Sequence, residues 1–121
     1  MKLTIDCTDE QAKILLKCLE ESFRFPLRQP GLFLENIFWE TEQFEHRDDA
    51  ESVCSALMDI IYGKNCTEHT PETDVIIDMW HVLRHELYLA NGGDPNNYMD
   101  VRSDKTIKLG DMPMIKVEVE K

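Results

Sequence analysis

Apolar residues recur along this chain with two different periods. Through most of its length they return every three or four positions, and near both ends they return every second position. The first spacing is that of an amphipathic helix, and the second is that of a half-buried strand. Met1 to Cys7 alternates, with Leu3, Ile5 and Cys7 on one side and Lys2, Thr4 and Asp6 on the other, which predicts a strand. Thr8-Asp9-Glu10-Gln11 has the form of a capping box. It opens a first helix with Ala12, Leu15, Leu16, Leu19 and Phe23 on its buried stripe and Lys13, Lys17, Glu20 and Glu21 on its wet face. A break marked by Pro26 and Pro30 follows. Gly31 to Glu42 reads as a second helix, with Phe33, Ile37, Phe38 and Thr41 on one face and Glu35, Glu40 and Glu42 off it. Trp39 is then partly exposed or turned toward a partner. Asp48 or Asp49 caps a third helix that runs to about Tyr62, with Val53, Ala56, Leu57, Ile60 and Ile61 as its apolar stripe.

The longest uninterrupted helical pattern is Pro71 to Asn91. Thr70 caps it, Pro71 occupies the first helical position, Glu72 and Asp74 suit the dipole of the first turn, and Gly92-Gly93 stops it. Ile76, Met79, Trp80, Leu83, Leu87 and Ala90 form its core stripe. Beyond Asn97 the period returns to two. Met99 to Ser103 and Thr106 to Leu109 read as short extended segments, and Ile115, Val117 and Val119 as a terminal strand. The expected fold is a single α+β domain over residues 1–121, with about four helices packed on a small sheet that pairs the N-terminal strand with C-terminal strands.

Candidate chemistry gathers on the central helix. Asp74, Asp78, His81, His85 and Tyr88 share one face, and Arg84 lies between this face and the core stripe, one turn from Trp80 and one turn from Tyr88. Three readings compete. In the first, the face is solvated and Trp80 belongs to the core. In the second, Trp80, His81, Arg84, His85 and Tyr88 line a site for a small anion or nucleotide, closed by Arg102 and Lys105 from the tail, since a guanidinium forks onto phosphate or carboxylate and flat rings stack on bases. In the third, Asp78, His81 and His85 ligate a metal, with Cys66 and His69 as further candidate ligands. Arg24 and Arg28 make the most basic short stretch of the first half, read either as a solvated loop or as a contribution to an anion pocket.

Charge narrows the choice of partners. The 121 residues carry a formal net charge of −11, which repels free nucleic acid and anionic membrane unless positive charge is locally concentrated. Two routes are left: a basic protein partner, or a small ligand in a locally basic site. The surplus of Phe33, Phe38, Trp39 and Phe44 beside charge also suits a homo-oligomer. No stretch approaches the roughly 18 apolar residues of a membrane span. The opening residues do not read as a signal peptide, so the expected location is the cytosol. Four cysteines (Cys7, Cys18, Cys54, Cys66) show no paired spacing, and Cys18 and Cys54 read as small core residues. The five glycines are scattered, and there is neither a phosphate loop nor a GxSxG or HExxH motif. The reading is therefore of a non-enzyme without a cofactor.

Three pieces of the chain carry a resemblance: the opening I-D-C-T-D-E-Q-A-K-I-L-L-K-C-L, then D-M-W-H-V-L-R-H-E-L around Asp78 to Leu87, and a tail of the form M-D-V-R-S-x4-K-L-G-D-M-P-M-I-K-V-E. In these pieces and in its order of elements the chain resembles small proteins of unknown function encoded by phages and prophages of Gram-positive bacteria. The Pro26 to Glu45 region departs most from them. The resemblance implies a setting rather than a reaction: a phage accessory factor, of the kind that acts on the host by occupying a defence protein, a nuclease or a signalling nucleotide.

Overall fold

A computed structural model of the chain describes residues 1–38, 41–64, 69–104 and 107–120. Among these residues the architecture is helical. It comprises α1 (Asp9–Arg24), α2 (Pro30–Phe38), α3 (Arg47–Tyr62) and α4 (Pro71–Ala90), with single 3-10 turns at Phe44–His46 and Val101–Ser103.

Local signals account for the two longer-range partners, α1 and α4. Thr8 and Gln11 form the reciprocal capping box, with the Gln11 N–H donating to Thr8 Oγ1 at 3.2 Å and the Thr8 N–H donating to Gln11 Oε1 at 2.9 Å. Thr70 caps α4 by accepting from the Thr73 N–H at 3.1 Å, ahead of Pro71. The two helices run antiparallel. Asn91 at the end of α4 donates to Asp9 at the start of α1, while Phe23 near the end of α1 packs edge-on against Trp80 with ring centres 5.1 Å apart. Phe23, Ile77 and Trp80 form the buried centre, and Leu16, Leu19, Leu27 and Ile76 pack around it.

The corner between α1 and α2 is held by Arg28, a non-glycine residue with a positive φ (58°). Its guanidinium pairs with Asp59 and donates to the Gly63 carbonyl at 2.6 Å, so the turn is tied to the end of α3. Arg47 at the start of α3 donates to the Gly31 carbonyl at 3.2 Å. These two contacts seat α3 chiefly on α2.

The expected α+β fold is not what forms: no strand or sheet is present among the described residues. Residues 1–7 form no regular element and are exposed throughout. Residues 113–120 likewise form no regular element, although Ile115 and Val117 are half-buried and alternate with exposed Lys116 and Glu118. Period-two patterning thus left a two-faced segment near the end of the chain, but no ladder. A sheet also needs a neighbouring strand in register, which is a tertiary condition. Within Met99 to Ser103, Val101–Ser103 forms a 3-10 turn in place of an extended segment. Asp100 accepts from the Arg102 N–H, and the Ser103 hydroxyl bonds the carbonyls of Asn97 and Asp100, so local side-chain bonds override the alternation.

Other expectations shift as well. The second helix starts at Pro30 and ends at Phe38, and it buries Leu34 rather than the stripe of Phe33, Ile37 and Phe38. The third begins at Arg47, so Asp48 and Asp49 sit in its first turn instead of capping it; they still complement the dipole. Its stripe of Val53, Ala56, Leu57, Ile60 and Ile61 faces outward, and Met58, 1% exposed, anchors it instead. Cys18 is exposed rather than buried, whereas Cys54 is half-buried. Trp39, Glu40, Cys66, Lys105 and Thr106 lie outside the described residues.

Candidate anion-binding site

The α4 helix is covered on two sides, and this decides what each of its polar residues does. On one side lies α1. On the other, the chain after Gly93 turns back across the helix and is fastened at three places. Tyr88 Oη donates to the Asp94 carbonyl at 3.0 Å. His85 Nδ1 lies 2.8 Å from the Arg102 carbonyl; a carbonyl only accepts, so Nδ1 carries the proton. The Asp78 carboxylate accepts from the Leu109 N–H at 2.8 Å and the Gly110 N–H at 2.7 Å, one oxygen for each. Asp78 is 4% exposed, so this is a buried, charge-assisted clamp. Gly110 is required where it passes the helix: a Cβ there would fall 2.8 Å from Val75 Cγ2 and 3.0 Å from both the Val75 nitrogen and Asp78 Oδ2.

Asp78, His81 and His85 therefore do not assemble a metal site. Asp78 holds the tail, His85 holds the 3-10 turn, and among the described residues no three His, Cys, Asp or Glu side chains are placed to ligate an ion.

Arginines gather on the face between α1 and the returning tail. Arg84 Cζ lies 3.9 Å from the Trp80 ring centre. Arg24, from the end of α1, lies 5.3 Å from the same ring and 4.7 Å from that of Phe23. Arg102, from the 3-10 turn, lies 5.2 Å from the Tyr88 ring. Two of the three have carboxylate partners. Arg24 is paired with Glu20 at 3.1 Å and also donates to Gln29 at 2.6 Å. Arg102 grips Asp100 through Nε at 2.9 and 3.1 Å. Hydrogen bonds from Arg102 hold the Asp100 carboxyl down at about 2.

The third arginine is different. Arg84 is half-buried, and its Nε has no hydrogen-bond partner among the described residues. Neither have Trp80 Nε1 and His81 Nδ1 on the same turn of helix. Burial pulls the Arg84 guanidinium below its ordinary value; Arg102 and Arg24 add to this, while Glu20 and Asp100 oppose it. Burial likewise lowers His81, and the Arg84 charge lowers it further. Both shifts report a desolvated spot where positive charge is crowded. Such a spot favours an arriving phosphate or carboxylate, which would meet a guanidinium already held flat against an indole.

The rings themselves do not form the expected stacking platform. Trp80 is 6% exposed and belongs to the core, with Phe23 on its edge and Arg84 over its face. Tyr88 packs so closely on Gly93 that a Cβ there would lie 2.5 Å from the ring, and Arg102 lies over the same ring. The structure thus brings Trp80, His81 and Arg84 together with Arg24, and it draws Arg102 in from its own chain. His85 and Tyr88 are spent on holding the tail, and Lys105 lies outside the described residues. Arg28 is absorbed by Asp59 and Gly63. Glu20 and Asp100, which set the charge balance of the site, were missed from sequence. The i, i+4 spacing of Glu20 and Arg24 was a signal for the first.

Comparison with family models, with curated proteins and with solved structures finds no match to this chain.

Proposed function

We propose that this protein is a non-catalytic accessory factor of a phage or prophage that binds a small anionic ligand, in the cytosol of the host. The ligand presents a phosphate or carboxylate group to Arg84, with Arg24 and Arg102 flanking. Signalling nucleotides are the class to test first. One observation carries this reading. In a chain of net charge −11, three arginines from three separate elements converge on one face, and three neighbouring buried nitrogens there have no partner among the described residues. Buried polar nitrogens are ordinarily satisfied, so a cluster of such exceptions beside an arginine marks a place where an acceptor belongs. No helix of the described residues is long and apolar enough to cross a membrane.

Native mass spectrometry of the protein as purified comes first, to look for a bound mass of a few hundred daltons. Titration calorimetry with inorganic pyrophosphate, ATP and a cyclic dinucleotide then compares the wild type with Arg84→Gln. The expected result is binding of at least one probe, weakened about 10- to 100-fold in the variant, the worth of a hydrogen bond to a charged group. Equal affinity in the variant, or no affinity for any probe in the wild type, overturns the reading.

A second reading has its own support. The shallow groove along α3 is lined by Asp48, Glu51 and Asp59 together with Ser52, Ser55 and Ala56. An acidic face of this kind suits blockade of a basic host protein. Binding would then weaken steeply with salt and would be indifferent to Arg84→Gln.

A further inference from the structure

The outward stripe of α3 is the largest departure of this fold from its own sequence pattern. Val53, Leu57, Ile60 and Ile61 are 68%, 44%, 81% and 54% exposed, and Ala56 between them is exposed as well. Their centre lies about 130° around the helix axis from Met58, the buried residue of α3. The stripe has the spacing of a helix–helix seam, and nothing among the described residues covers it.

We infer that this stripe is the interface of a homodimer in which α3 of one copy packs antiparallel against α3 of a second copy. The occupant is identified by symmetry and charge. The stripe is nearly a palindrome about the point between Ala56 and Leu57. With a two-fold axis through that point, Val53 of each copy faces Ile60 of the other, and Ala56 faces Leu57, small against large. The same operation brings Asp49, in the first turn of α3, to the far end of the partner helix, where Lys64 follows the helix-ending Gly63. The axis repeats each pairing, so two ion pairs bracket one apolar seam. A parallel pairing would instead align Asp49 with Asp49 and Lys64 with Lys64, and it would align the helix dipoles unfavourably. A pair of 16-residue helices makes a small interface, so the dimer dissociates at about micromolar concentration. α3 contributes no residue to the arginine face, so this inference is independent of the anion reading.

Sedimentation velocity of the full chain, from about 1 to 500 µM, tests it. The wild type is expected to shift from monomer to dimer across a range of this order. Ile60→Glu should raise the dissociation constant at least about 100-fold, because it sets two carboxylates in the seam, while circular dichroism stays unchanged because Ile60 is 81% exposed. Asp49→Lys and Lys64→Asp should each weaken the dimer, and the double variant Asp49→Lys/Lys64→Asp should restore it. A wild type monomeric at every concentration, a dimer insensitive to Ile60→Glu, or a charge swap that fails to restore affinity each overturns the antiparallel α3 dimer.

Discussion

Replacing Asp78 by alanine tests the tail clamp most directly. Its two carboxylate oxygens accept from Leu109 and Gly110 at 2.8 and 2.7 Å, and the side chain is buried beneath them. A hydrogen bond to a charged group contributes about 1.5–3 kcal/mol, so the pair sets an upper bound near 6 kcal/mol. The bound is not reached. The tail can lift, and both N–H groups then find water, so the loss is capped by the free energy of undocking one segment. A cost of about 2–4 kcal/mol in urea denaturation is expected. Asp78→Asn should fall between wild type and alanine, since its amide keeps one acceptor and turns an NH2 toward the second N–H. Hydrogen exchange gives the local readout: the Leu109 and Gly110 amides should lose protection before those of α4. A cost below about 0.5 kcal/mol, with unchanged exchange at both amides, would refute the clamp.

Further tests follow from the same contacts. Gly110→Val should destabilise by about 1–3 kcal/mol, measured by chemical denaturation, because the new side chain meets Val75 and Asp78 inside contact distance. Arg28→Ala, which removes the tie from the α1–α2 corner to Asp59 and Gly63, should cost about 1–2 kcal/mol by the same assay, and a smaller loss for Arg28→Lys would show that charge alone suffices. His81 is held below its ordinary value of 6.5, first by burial and then by Arg84. A histidine depressed in the folded state contributes stability that is full above 6.5 and is lost as pH falls through its folded value, so stability should decline below about pH 6.5, and His81→Gln should flatten that decline. Asp100 titrates at about 2 in the fold instead of 3.8, and Arg102→Ala should return its NMR midpoint toward 3.8.

Much of this molecule is written locally. The capping box at Thr8, the Thr70-Pro71 start of α4 and the stop at Gly92-Gly93 depend on residues three or four apart, so they were legible and stand where the pattern set them. The grouping of Trp80, His81 and Arg84 on one turn is equally local, as is the basic character of the Arg24 stretch.

What covers each face is not a local property. The alternating ends joined no sheet among the described residues, because a sheet requires a second strand in register and the tail is instead bonded to α4. Asp78 reads as one more solvated carboxylate until the backbone of Leu109 and Gly110, some thirty residues on, is laid across it. Trp80 reads as a stacking surface until Phe23 and Arg84 enclose it. The apolar stripe of α3 was visible in the sequence, yet the described residues leave it bare, since α3 rests on α2 through another side. Periodicity records that a face is meant to be covered; the tertiary arrangement decides whether the same chain covers it.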